Sequence, residues 1–391
     1  MENKVKWSTF LKDVLICSLG AYGGPEAHYG VFTDQMVIKK QYLSEDELVE
    51  LIALTGILPG PSSTQTIVAI GHKMGGPILA LLTMVVWGLP AILFMTALSF
   101  MYQFLSDHQI DVNGLRFIGP MAVGFIAVAA YRIGRKVIKN KITLVLFLLA
   151  MVITYFFRYA WVFPLVLIIG GITTIIASKE TGLWHHVKIN PPYRYLIAFA
   201  VIAMGSLLLN LVWDNRILYI FQSFYRYGYL VIGGGQVVIP YMFNDLVEVY
   251  RYMSSEQFLT GFGIVQGIPG PMFSFSAYAG GMAGRDLGPV VQILSGLAAG
   301  IGIFLPGILL IFFVYPVWSK IRTIKGIKMA LSGITAVAGG LIAIAAFILM
   351  KSSGFSLENI IVLSITVLLL LSKKIPAPII VALTLLAGFL I

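Results

Sequence analysis

The sequence predicts an all-α polytopic membrane protein made of two inverted-topology repeats, with helices broken at Gly/Pro motifs. Three observations carry that reading. Of 391 residues, 58% are hydrophobic and only 11% charged, where a typical soluble domain has about 25% charged. Windows such as 76–106, 287–319 and 329–350 exceed the roughly 18 apolar residues that mark a spanning helix. The Gly/Pro landmarks of the first half return in the second at one numbering offset, with the loop charges reversed.

Taken in order, a first apolar segment runs from about 8 to 22 and stops at Gly23-Gly24-Pro25. Lys4 and Lys6 precede it, but no small-residue cleavage site follows, so it reads as a retained membrane segment. An amphipathic piece spans 31–42. Ser44 with Glu47 then predicts a capping box and a helix to Leu58, which breaks at Pro59-Gly60-Pro61. A short apolar piece to about Gly71 completes this interrupted pair. Further segments cover about 76–105, 115–133, 142–157 and 159–178. A basic stretch, 179–194, contains Pro191-Pro192 and reads as a linker, followed by one more span at 195–213.

Shifted by 210, Gly23-Gly24 falls on Gly233-Gly234, Tyr42-x-Ser44 on Tyr252-x-Ser254, and Pro59-Gly60-Pro61 on Pro269-Gly270-Pro271. After a six-residue insertion, Leu89-Pro90 falls on Leu305-Pro306. Arg132, Arg135, Lys136, Lys139 and Lys141 crowd one loop of the first half. In the second half the basic loop is the preceding one, with Lys320, Arg322, Lys325 and Lys328. The positive-inside rule puts corresponding loops on opposite sides, as in secondary transporters built from inverted repeats. The expected division is 1–178 for the first repeat, 179–216 for linker and connecting helix, and 217–391 for the second repeat. Roughly 13 segments result if each Pro-Gly-Pro pair crosses once in total. The chain is expected in the inner (plasma) membrane, multi-pass, with a cytoplasmic N-terminus.

The two Pro-Gly-Pro knots carry the chemistry. Pro61 and Pro271 suit the first turn of a helix, whose free N–H groups form an anion site. Ser62, Ser63, Thr64 and Gln65 add donors in the first knot; Ser274 and Ser276 add fewer in the second. A kink with hydroxyls returned to local carbonyls is the plain alternative, and two symmetry-related knots favour a substrate site. The stretch 22–30, YGGPEAHYG, matches 232–240, IGGGQVVIP; paired glycines permit positive φ and close backbone approach. His28 reads either as an anion ligand or proton relay, or as a hydrogen-bonded interfacial histidine. Glu26 reads as exposed at the membrane surface.

Gly23-Gly24-Pro25-x-Ala27-His28-x-Gly30 and Leu58-Pro59-Gly60-Pro61-x-Ser63-x-Gln65 resemble the long, two-half members of the chromate ion transporter (CHR) family. So do Gly233-Gly234-Gly235, Pro240 and Gln266-x-x-Pro269-Gly270-Pro271. The resemblance covers nearly the whole chain and implies a transporter of tetrahedral oxyanions, chromate and its look-alike sulfate. It implies substrate-binding roles for these glycines and prolines, His28, Gln236 and Gln266. Position 236 departs from the family, since many members carry histidine there.

The net charge of +10 is accounted for by cytoplasmic loops, so no nucleic-acid partner is expected. The expected partners are an inorganic oxyanion and the lipid bilayer, and a homodimer stays open. The single cysteine, Cys17, excludes an intrachain disulfide and a Cys-based metal cluster. His185-His186 reads as solvated loop, and Gly261-x-Gly263 lacks the strand a dinucleotide motif needs. Arg116, Lys73 and Arg285 read as snorkelling anchors. No catalytic set stands out, and neither cofactor nor enzymatic activity is expected. The alternatives carried are an anion channel on the same scaffold and, less favoured, an intramembrane enzyme acting on a lipid-linked phosphate.

Overall fold

The computed structural model describes residues 5–108, 110–157, 161–184, 187–232 and 235–390, and every regular element among them is helical. The chain opens with α1 (Trp7–Gly20). It reverses at Gly23 and Gly24, whose φ of +75° and +97° cost a glycine no Cβ clash. It returns as α2 (Pro25–Phe32), which continues into a π-helix, Thr33–Lys39. The two arms lie side by side. The Phe10 ring meets Tyr42 at 5.3 Å, and the buried Asp13 carboxylate accepts from Gln35 Nε2 (2.9 Å) and the Tyr42 hydroxyl (2.5 Å). The Lys40 ammonium lies 3.2 Å away.

A second hairpin follows. α3 (Glu45–Thr55) starts with the capping box of Ser44 and Glu47 that the sequence predicts. The chain turns at Pro59-Gly60-Pro61 and enters α4 (Ser62–Leu98). Lys73 pairs with Glu47 where the two arms begin and end, and with the Ser44 cap it holds the Glu47 carboxyl below the usual range. Near the turn, the Thr55 and Thr66 hydroxyls bond at 2.8 Å. The arms are therefore antiparallel, and the turn is the tip of a re-entrant hairpin. The 11 residues of α3 reach about 16 Å at 1.5 Å per residue, roughly half of a ~30 Å hydrocarbon core.

The sequence count is conditional on each Pro-Gly-Pro pair crossing once; in the fold both that pair and the first apolar segment form hairpins. Each turns back at a Gly or Pro-Gly-Pro tip, because positive-φ glycines reverse the chain where a straight helix would have continued. The total of roughly 13 segments falls accordingly.

α4 breaks at Gly75 and Gly76. Its limb 77–98 folds back beside 62–74, with Gly71 against Thr83 and Trp87 Nε1 donating to Thr64 Oγ1 at 3.1 Å. The short α5 (Met101–Asp107), then α6 (Ile118–Val137), α7 (Lys141–Phe156), α8 (Val162–Ile176) and α9 (Tyr193–Val212) complete the first half and the connecting span. α9 touches the bundle through the Tyr225 hydroxyl on Phe199 O (3.0 Å) and leaves its large apolar side chains exposed, as a lipid-facing helix should.

The second half repeats the plan. α10 (Arg216–Leu230) and α11 (Ile239–Phe243), with a π-helix at Asn244–Val249, form a hairpin. Its arms are tied by Arg226 and Tyr227, which donate to the buried Asp245 carboxylate at 3.0 and 2.9 Å. α12 (Ser255–Val265), again with a capping box, and α13 (Phe275–Gly284) form the next. Tyr278 of α13 and Arg285 just after it both reach Gln257 at the start of α12. α14 (Pro289–Val314), α15 (Trp318–Ile321), α16 (Lys325–Ser353), α17 (Leu357–Ser372) and α18 (Ala377–Leu390) follow. The offset of 210 holds in the backbone itself. Gln41 and Arg251 are both left-handed (φ 50° and 53°), as are Gly60 and Gly270 (132° and 109°). Tyr42 N–H on Met36 O and Tyr252 N–H on Leu246 O are both 2.8 Å.

Between the first and third hairpins the chain passes through 77–98, α6 and α9, with α7 and α8 going out and back as a pair, so the net number of passages is odd. The hairpin mouths of the two halves thus open on opposite faces. Arg322 pairs with Glu50 (2.6 Å) and Lys325 with Glu180 (3.3 Å), which places the basic loop of the second half at the mouth of the first. In a Cys17→Ala background, cysteines at Glu47 and Arg285 are expected to react with an impermeant maleimide from opposite sides only. Labelling of both from one side would overturn the inverted topology.

Candidate functional site at the hairpin tips

The four tips meet. Gly60 N–H donates to Val231 O at 2.7 Å, and Gly270 N–H donates to Ala21 O at 2.9 Å. Ala21 and Val231 are themselves equivalent residues at the offset of 210, each two positions before a Gly-Gly pair in the sequence. Every Pro-Gly-Pro glycine is thus docked on the broken helix of the other repeat. No side chain fits between them: a Cβ on Gly60 would lie 2.9 Å from Gly307 Cα, and one on Gly270 2.9 Å from Ala91 Cβ.

The first tip gathers the residues expected from sequence. The helical ladder of α4 opens with Gln65 N–H on Pro61 O (2.9 Å), which leaves the N–H groups of Ser62, Ser63 and Thr64 outside it. His28 Nδ1 lies 2.9 Å from Ser63 Oγ, so the Gly-Gly-Pro motif and the first knot form one cluster. His28 is buried, and its Nε2 has no partner. In the tautomer protonated at Nε2, Nδ1 accepts from the Ser63 hydroxyl and Nε2–H is a free donor. Thr64 and Ser63 are buried, Ser62 half-buried. Gln65 plays another part: its amide donates to Pro59 O (2.8 Å) and Gly307 O (3.1 Å). Both its hydrogens hold the tip against α14, and its Oε1 is left without a partner.

The second tip is sparser. Ser276 Oγ returns to Phe273 O (2.7 Å), and Gln266 Nε2 to Phe262 O in its own helix (3.4 Å). Ser274 Oγ is buried without a partner. Pro269 is half-buried and Pro271 buried. Gly235 opens a short 3-10 turn; Gly233, Gly234 and the side chain of Gln236 lie outside the described residues, as do His185 and His186. Pro25 caps the start of α2, and Gly24 O accepts from His28 N–H (3.2 Å).

Three participants were not read from sequence. Trp87 stands edge-on to His28 at 5.4 Å while bonding Thr64. Gly307 supplies a carbonyl to Gln65. The side chain of Tyr29 lies beside Ser62, Thr66 and Thr55. A lone tryptophan three residues before Pro90, and the glycine after Pro306, were the available signals.

The chromate transporter family model matches residues 8–175 and again 218–389. A chromate transport protein of Cupriavidus metallidurans is 25% identical over 365 residues, covering 92% of this chain and 87% of that one. A chromate transport protein of Pseudomonas aeruginosa is 26% identical over 355 residues, covering 86% and 78%. A probable chromate transport protein of Synechococcus elongatus is 25% identical over 378 residues, covering 95% and 92%. No solved structure matches the chain.

Proposed function

As the chain belongs to the chromate transporter family, we propose that it moves a tetrahedral oxyanion, chromate with sulfate as its analogue, by alternating access around the hairpin tips. The observation that carries the reading is the reciprocal docking of Gly60 on Val231 O and Gly270 on Ala21 O. In this closed arrangement a carbonyl oxygen stands where each glycine N–H would meet an anion oxygen. Exchanging a carbonyl for a dianion oxygen makes the bond charge-assisted, roughly twice as strong. Binding therefore favours parting the tips. The free backbone N–H of Ser63 and the Nε2–H of His28 add donors on the first side, and the Ser274 hydroxyl adds one on the second. The first half does more of the recognition, and the second completes the cavity. The buried tips support a carrier over a channel, which would need a standing aqueous path.

Sidedness follows from charge. Arg135, Lys136, Lys139, Lys320, Arg322 and Lys325 share one face, which the positive-inside rule assigns to the cytoplasm, and the N-terminus lies on that side of the plasma membrane. The units 1–178, 179–216 and 217–391 are the corresponding working parts. A homodimer is compatible with the broad lipid-facing surface of α9.

Reconstituted protein is expected to take up chromate in competition with sulfate. Ser63→Ala is expected to weaken apparent affinity about tenfold by removing the hydroxyl that holds His28 in its Nε2–H donor tautomer, equivalent to ~1.4 kcal/mol. Gln65→Ala is expected to lower the maximal rate instead, because it loosens a tip and leaves the anion's donors in place. Unchanged flux in both variants would remove the tips as the site.

A further inference from the structure

α17 and α18 have 16 and 14 residues, fewer than the ~20 a crossing needs. Their outer ends are fixed near the far face: Gly388 lies against Gly114, and Asn359 Nδ2 bonds Ser353 O and Gly354 O at the end of α16. The loop 373–376 between them lies at the opposite end of the pair, and Arg132 marks its level. It sits on α6 five residues before that helix ends at Val137, and its guanidinium donates to Leu370 O at 3.0 Å. Lys373 and Lys374, which follow at once, are exposed. At 1.5 Å per residue they lie about 4.5 Å beyond Leu370, level with Arg135 at the basic end of α6, and form one cationic cluster with Arg132. The cluster adjoins the first tip, because Gly23 packs on Ala377 and Glu26 pairs with Arg132 at 3.2 Å.

We propose that this cationic cluster is the cytoplasmic docking site of the transported dianion, with Arg132 as its specificity-determining cation and Glu26 as a resident counter-anion that the dianion displaces. The inference rests on the oxyanion reading above. A guanidinium fork fits a tetrahedral oxyanion through two parallel bonds. Here one arm of the fork is held by Leu370 O and the other by a single carboxylate oxygen. Glu26 is 72% exposed, and ion pairs so wetted are weak, so a doubly charged competitor concentrated by Lys373 and Lys374 takes its place. Two residues further along α2 stands His28, the first donor of the tip. The charge is one-sided: the second-half counterparts of Glu26 and Arg132 by the repeat offsets are Gln236 and Ile348. Loading from the cytoplasm is thereby favoured over loading from outside.

The test is initial chromate flux from the cytoplasmic face of inside-out proteoliposomes, measured against concentration and salt. Glu26→Gln should lower the half-saturating concentration about fivefold and slow the maximal rate, because the anion is no longer displaced from Arg132. Arg132→Gln should raise it at least about tenfold, with Arg132→Lys in between. Lys373→Gln with Lys374→Gln should flatten the salt dependence of the rate at low concentration. If Arg132→Gln fails to elute as folded protein, Glu26→Gln and the lysine pair decide, since both keep the Arg132–Leu370 bond. Wild-type flux with unchanged half-saturation in Glu26→Gln overturns this inference alone. Absence of chromate and sulfate flux in the wild type overturns the functional reading and this inference with it.

Discussion

Replacing Gly60 with alanine is expected to lower oxyanion flux at least ~100-fold, the loss associated with about 1 Å of misplacement at a working site. Insertion and elution should be retained. Two effects combine at this position. The φ of 132° is a region where a side chain costs of order 1–3 kcal/mol. The new Cβ would also lie 2.6 Å from Gln65 Nε2 and 2.9 Å from Gly307 Cα. The glutamine can swing away only by releasing Pro59 O and Gly307 O, and α14 backbone cannot. The tip must lift, and the Gly60–Val231 bond goes with it. Gly24→Ala is the control, because its φ is 97° but no atom lies within 4 Å of the added Cβ. It should show the strain without the collision, and a loss of flux several-fold at most. Wild-type flux in Gly60→Ala would mean that close approach of the tips is not part of the cycle; flux in Gly24→Ala as low as in Gly60→Ala would mean that strain alone accounts for the loss.

Much of this arrangement was legible in the residues. The helix from Ser44, the break at Pro59-Gly60-Pro61 and the span at 195–213 appear within a few positions of where composition and capping place them. The repeat offset predicted from the Gly, Pro and Tyr-x-Ser landmarks reappears in the left-handed Gln41 and Arg251, which differ in residue type. What sequence did not disclose was direction. Apolar content reports that a segment prefers the membrane, not whether it leaves by the face it entered. The evidence for re-entry lies in contacts across sequence: Lys73 with Glu47, Asp13 with Gln35 and Tyr42, Asp245 with Arg226. The same limit explains Gln65. Its type and position suggested an anion donor, but only the fold reveals that Gly307, 242 residues on, takes its second hydrogen. Glu26 read as a surface carboxylate; it is exposed, yet its partner Arg132 lies along a helix that sequence could not bring beside it.

The tips are unequal in a way that bears on energetics. The motifs 22–30, 58–65, 232–240 and 268–276 contain no lysine or arginine. A dianion between them would be held by neutral donors and would carry its full charge through the membrane field. That gives the second large expectation. With 100 mV imposed, proteoliposomes should concentrate chromate in the positive compartment about 2,000-fold at equilibrium, since the field is worth ~2.3 kcal/mol per charge and ~1.4 kcal/mol is a factor of ten. Of these tip residues, His28 alone has an ordinary pKa near neutrality, so it is the candidate for carrying a proton with the anion. One proton moved per cycle would reduce the moved charge to one and the ratio to ~50-fold, and His28→Gln would then restore the larger value. A ratio near unity, insensitive to voltage, would require full charge compensation and would overturn uncoupled dianion transport. If the 2,000-fold ratio is found, the direction follows without another ion: the interior of a living cell is negative, so the field that fills positive vesicles would drive the same anion out.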